Sequence, residues 1–220
     1  MEPMAAVSEE VTYDGVRALV ARECLIILCA LHEKGDTVLL LGPGDGFWEM
    51  FRDTPEMQDG APDPMDRWSE RVIGRLADTV GSEAVFPFGG PPYQPFLRWA
   101  LSSGHAWSSP VGMLVHGTAG MMVSFRGALR IKGELDLPPA PETSPCDSCE
   151  DKPCLTACPV NALSDAHFYK VEDCHSYLDT LPGAICMKGG CLVRRACPIS
   201  QSFDRSPAQS ALHMRYFHTT

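Results

Sequence analysis

Residues 146–163 read CDSCEDKPCLTACPVNAL: four cysteines fall within thirteen positions, and proline follows the last. Thiols this close together can form a disulfide framework, hold tetrahedral zinc or wrap an iron–sulfur cluster. The spacing, C-x2-C-x4-C-x3-C-P, favours the third use. Zinc ribbons bring two C-x2-C knuckles from separate hairpins. A cubane cluster is instead wrapped by one loop with three close cysteines and a further C-P that starts the next turn. In two-cluster proteins the fourth cysteine of one run serves the other cluster, so a partner run is required. Cys174, Cys186, Cys191 and Cys197 supply it, and Pro198 again follows the last thiol. The pattern points to two 4Fe–4S clusters; structural zinc is the alternative that the same residues leave open.

Composition limits what these thiols do. The chain has 220 residues, 45% hydrophobic and 21% charged, enough to bury a core in one large or two small domains. Its net charge of −10 argues against a sequence-blind grip on nucleic-acid phosphates. The opening MEPMAAVSEEVTYDG has no basic leader, and the longest apolar run, Cys24 to Leu31, is too short to span a bilayer. A cytoplasmic location is therefore expected, and in that reducing compartment ten cysteines point to metal or redox chemistry, not to disulfides.

The motif ACPVNAL resembles the A-C-P-x-x-A-I/L signature of bacterial two-cluster ferredoxins. VEDCHSYLDT followed by ICMKGGCLVRRACP is similar to the iron–sulfur half of epoxyqueuosine reductases and reductive dehalogenases, and residues 109–138 resemble the stretch that leads into it. The resemblance covers about residues 109–200. It implies one cluster on Cys146, Cys149, Cys154 and Cys197 and another on Cys158, Cys174, Cys186 and Cys191. It also implies a corrinoid (cobalamin) as a further cofactor on the preceding domain; a flavin there is the alternative. The chain departs from the pattern in two places: four residues separate Cys149 from Cys154 where ferredoxins usually have two, and the gaps between Cys186, Cys191 and Cys197 are long. The extra residues, Gly189 and Gly190 among them, are expected to bulge outward.

The elements that position these thiols follow from pattern. LDLPPAPETSP, residues 135–145, carries four prolines and reads as a linker. The expected class is α+β: a mixed α/β domain over 1–138, a small bacterial-ferredoxin-like domain over 139–205 and a helical tail over 206–220. In the first domain, residues 14–33 start helical and pass into a buried helix or strand, and TVLLLG (37–42) reads as a buried strand. Asp63 and Pro64 open a helix that shows Trp68, Val72, Ile73, Leu76 and Val80 on one face and stops at Gly81. AVFPF (84–88) reads as a strand and PFLRWAL (95–101) as a helix. GMLVH (112–116) and MMVSFRGAL (121–129) read as two strands around a turn at 117–120.

Several features carry a bland reading. Gly42, Gly44 and Gly46 form G-x-G-x-G, not the dinucleotide fingerprint, and read as a turn. His116 and His175 read as structural histidines, Met113, Met121 and Met122 as core, Cys24 and Cys29 as small buried hydrophobes, and the four tryptophans as one core. Lys152, Lys188, Arg194 and Arg195 either offset cluster charge or lie on solvated surface.

Two clusters in a small fold make a one-electron wire. The expected function is an electron-transfer protein with a redox partner protein, no membrane and no nucleic acid. It would be a shortened relative of the enzymes it resembles, lacking the C-terminal helical repeats of the epoxyqueuosine enzymes. A corrinoid- or flavin-dependent reductase and a zinc-stabilised interaction module are the alternative functions. If the chain is an enzyme, it is an oxidoreductase.

Overall fold

Lys34 and Gly35 both adopt left-handed backbone, with φ of 56° and 81°. That geometry reverses the chain between two strands with the twist a tight hairpin needs. The strands are β1 (Leu25–Glu33) and β2 (Asp36–Pro43), paired antiparallel in this computed structural model, which describes residues 11–219. Residues 1–10, where the absence of a basic leader was read, and Thr220 lie outside the described residues.

Two compact units result, one from residues 1–89 with 126–138, the other from 90–125 with 139–220. The chain therefore does not divide once at the proline-rich stretch. Residues 90–125 join the cysteine-bearing unit, because Val111, Val115 and Met121 share a core with Cys154, Leu163, Val193 and Cys197. Likewise the tryptophans do not share one core: Trp68 is buried in the first unit and Trp99 in the second.

The first unit holds a four-stranded sheet in the order β1-β2-β6-β3, with β3 at Glu83–Val85 and β6 at Gly127–Lys132. β2 is buried along its whole length between β1 and β6, as its leucine-rich run requires. Helix α1 (Tyr13–Ala21) starts at Thr12, whose Oγ1 accepts the Gly15 N–H at 3.1 Å, and gives way to β1 as branched residues replace its amphipathic pattern. Short helices α2 (Phe47–Phe51) and α3 (Pro55–Gln58) precede α4 (Pro64–Val80). α4 has Pro64 at its first position and Gly81 in the left-handed stop, as the sequence predicts. Its Trp68 meets Phe47 and Phe51 edge-on, at centroid distances of 5.1 and 6.0 Å.

In the second unit α5 (Phe96–Ser102) leads to a two-stranded sheet of β4 (Ala106–Ser108) and β5 (Leu114–His116). The expected hairpin of 112–116 with 121–129 does not form. The turn is present, since His116 and Gly120 exchange backbone hydrogen bonds of 3.0 and 2.9 Å, but residues past 126 leave to pair as β6 in the other sheet. Beyond residue 139 the described chain has only short helices: a 3-10 turn at Pro153–Leu155, α6 (Val171–Leu178), α7 (Ala184–Gly189), α8 (Leu192–Ala196), α9 (Pro198–Phe203) and α10 (Pro207–Phe217). Helix and strand together, 39% and 16%, place the protein in the α+β class. Among the described residues no helix is long and apolar enough to cross a membrane.

Candidate metal centre

Prolines and short helices set the cysteines. Pro153 starts the 3-10 turn that carries Cys154, and Lys152 before it takes left-handed backbone at φ 39°. Cys174 sits on α6, Cys186 on α7, and Cys191 caps α8. Cys197 ends α8 in extended backbone and begins α9, with Pro198 at the first helical position, where a missing N–H costs nothing.

The eight thiols segregate into two sets around two separate cavities. Cys146, Cys149, Cys154 and Cys197 line one of 170 Å³, whose walls are otherwise largely apolar, with Val115, Met121 and Ile199 among them. Cys158, Cys174, Cys186 and Cys191 line another of 30 Å³, walled by Leu163, Leu178 and Met214. Cys158 thus leaves its own sequence run, and Cys197 joins the earlier one. Cys24, Cys29, His116 and His175 line neither cavity. Cys29 is fully buried in β1, and the His116 Nδ1 accepts the Thr118 and Ala119 N–H groups at 3.1 Å, a structural role.

Burial pushes the Cys146 and Cys154 thiols up, and negative charge on neighbouring members of the same set pushes in the same direction. Cys174 and Cys186 rise for the same first reason, with Cys191 and Cys158 adding to it. Four acidic groups held together without a cation oppose ionisation, so the arrangement suits a bound cationic core that would hold them as thiolates. Hydrogen bonds also reach the sulfurs. The Ala162 N–H donates to Cys158 Sγ at 3.2 Å, while the Leu192 backbone and the Tyr169 hydroxyl lower the Cys186 and Cys174 thiols against that burial. Burial pushes the Tyr169 phenol up, and Cys174 beside it adds to the rise.

The fit of the residues to a cubane rests on the void. Four thiolates on zinc at about 2.3 Å meet at a point and leave no space between them. Here the first set borders a cavity of 170 Å³ and the second one of 30 Å³, so open space on the scale of a cluster stands beside the first set.

Of the basic residues noted from sequence, Lys152, Lys188 and Arg195 are exposed. Arg194 is not: it turns inward, its Nη1 donating to the Met121 carbonyl, and burial pushes the guanidinium down while Cys191 and Tyr169 counteract. Gly189 and Gly190 do not bulge outward. Gly190 is buried at φ 91°, and a Cβ there would stand 2.8 Å from the Ser210 Cβ, so the glycine admits α10. Tyr169 carried no sequence signal; a side chain that serves a thiol from a loop shows no period or spacing. No family model, curated protein or solved structure matches the chain.

Proposed function

We propose that the protein transfers electrons through two 4Fe–4S clusters, one held by Cys146, Cys149, Cys154 and Cys197 and the other by Cys158, Cys174, Cys186 and Cys191, in a ferredoxin-like module. The observation that carries this reading is the exchange of Cys158 and Cys197 between the two runs. Each cavity receives three thiols from one run and one from the other, the division that two-cluster ligation demands. Such clusters supply reversible one-electron chemistry with little change in shape.

The chain's own residues do the rest. Pro145, Pro153 and Pro198 stiffen the loop around the first set, Ala162 donates to a sulfur of the second with Leu192 and Tyr169 beside it, and aliphatic side chains form much of both walls. Cys154 and Cys186 are buried, whereas Cys149 and Cys158 are part-exposed, which leaves each set an edge for electron entry or exit. The partner is a redox protein.

The test is anaerobic purification, reconstitution with iron and sulfide, and analysis for iron, acid-labile sulfide, zinc, cobalt and flavin. Brown protein with about eight irons per chain is expected. Colourless protein with stoichiometric zinc would sink the proposal in favour of an interaction module; cobalt or flavin beside the iron would extend it to a reductase.

A further inference from the structure

The two thiol sets differ in the charge beside them. Of the lysines and arginines between Cys146 and Cys197, Lys152, Lys170, Lys188 and Arg195 are exposed, and Arg194 alone turns inward. It stands three residues after Cys191 on α8 and lines a cavity of 260 Å³ together with Cys174 and Cys191. Its Nη1 donates to the Met121 carbonyl, a neutral group, and the negative charge it faces is that of Cys191. A cation sheltered from water is screened far less than one in solvent, so this single guanidinium outweighs the exposed lysines.

The first set has no such neighbour. Among the described residues that line its cavity the one cation is Lys152, which is exposed, and Asp147 adds negative charge beside Cys146. Hydrogen bonding reaches both sets, through Ser144 at Cys146 and through the Ala162 N–H at Cys158, so charge is what separates them. Glu172 and Asp173 precede Cys174 on α6, but both are exposed, where water screens them.

We propose that Arg194 is the sheltered counter-charge of the second thiol set and holds the midpoint potential there above that of the first set, so that the second set takes the first electron. This rests on the electron-transfer reading above. Reduction adds one negative charge to a cluster, and a cation close by favours the more negative state. An electron delivered to the first set by a one-electron donor protein then passes downhill to the second: the first is reoxidised, the second is reduced, and no bond is made or broken. The first set is the entry and the second the exit. If Arg194 served only to tie α8 to the Met121 turn, its hydrogen bond would matter and its charge would not.

The test reduces the full chain, reconstituted and of measured iron and sulfide content, in steps of controlled potential and records EPR at each step. The signal lost in Cys186→Ser is expected at the higher potential and the signal lost in Cys154→Ser at the lower; this order is read without any change at Arg194. Arg194→Gln should lower the equilibrium constant for reduction of the second set about tenfold, about 59 mV for one electron, and leave the first signal in place. Arg194→Lys keeps the charge and should recover at least half of that shift, with near-UV circular dichroism and iron content checking the fold of both variants. Iron-replete protein with the two signals in reverse order, or with both moved equally by Arg194→Gln, would overturn this proposal and leave the clusters standing. So would a lysine variant as low in potential as the glutamine one, since the bond to Met121 and not the charge would then set the potential. A preparation that stays iron-poor would overturn the proposal together with the electron-transfer reading.

Discussion

The hydroxyl oxygen of Ser200 accepts the backbone N–H of Met121 at 2.9 Å. It joins the start of α9, three residues after Cys197, to the turn that follows β5, and Gly120 makes the approach possible. Gly120 has φ 54°, and a Cβ there would collide with the backbone of Ser200. Gly120→Ala should therefore destabilise the second unit by roughly 3 kcal/mol, from overpacking and left-handed strain together. Ser200→Ala should cost about 1–3 kcal/mol, because it strands a buried N–H. Urea titrations of both variants check this, and equal midpoints for parent and Gly120→Ala would refute it.

Cys158 is contiguous with the first run in sequence but lines the second cavity. Cys158→Ser should accordingly perturb the same EPR signal as Cys186→Ser, and a different one from Cys154→Ser. Each of the three should lose about half of the bound iron. Cys29→Ser, in the buried strand β1, should retain all of it. A shared signal for Cys154→Ser and Cys158→Ser would contradict the division of thiols into two sets.

The Tyr169 hydroxyl faces the Cys174 thiol and favours its ionised form. A hydrogen bond to a ligand sulfur stabilises the more negative, reduced state, so Tyr169→Phe should lower the potential of one cluster. A bond of about 1 kcal/mol corresponds to about 40 mV for one electron. Redox titration followed by EPR should show one signal shifted and the other fixed; an unchanged pair would remove Tyr169 from the site.

The cysteine runs, the strand β2 and helix α4 were legible because each rests on a local rule: spacing to a cluster, a continuous apolar run, a proline start and a glycine stop. Where several residues compete across the chain, local rules fail. The pattern of 121–129 fits a hairpin with 112–116, but β2 offers Leu39–Leu41 as a longer, fully buried partner, and 127–132 pair there instead. Gly189 and Gly190 read as slack in a loop because nothing in the sequence reveals that Ser210 of α10 comes to rest against them. Arg194 and Arg205 reach the Met121 and Met122 carbonyls across 73 and 83 positions of chain, beyond the reach of any periodicity.

In the first unit Glu56 pairs with Arg71, and Arg71 Nη2 donates to Glu56 Oε2 at 3.0 Å. The Arg71 guanidinium holds the Glu56 carboxyl below its ordinary value of 4.5. The folded state therefore binds its proton less readily than the unfolded chain does. The contribution is complete above about pH 4.5 and drains away as pH falls through the folded value. Arg71 is 46% exposed, so water screens the pair and the loss is about 1 kcal/mol or less. Glu56→Gln should lower stability at pH 7 and flatten its decline between pH 5 and 3, as read from urea midpoints. A parallel decline in parent and variant would show that other carboxylates govern the acid limb.

His218 closes the C-terminal helix onto α6. Its Nε2 faces Asp179 Oδ1 at 2.8 Å, and its Nδ1 stands 2.6 Å from His175 Nδ1. Through its two ring nitrogens His218 links Asp179 and His175, and the three side chains form one hydrogen-bonded chain. Phe217 covers the same histidine, its ring centroid 4.7 Å from that of His175. His218→Ala removes both bonds and should cost about 1–3 kcal/mol locally. Because these bonds tie the end of α10 to α6, the loss should appear in α10 first. Hydrogen exchange of the α10 amides should accelerate about tenfold or more, while the amides of β2 in the other unit keep their protection. Uniform acceleration in both units would mean that His218 supports global stability and does not clip one helix.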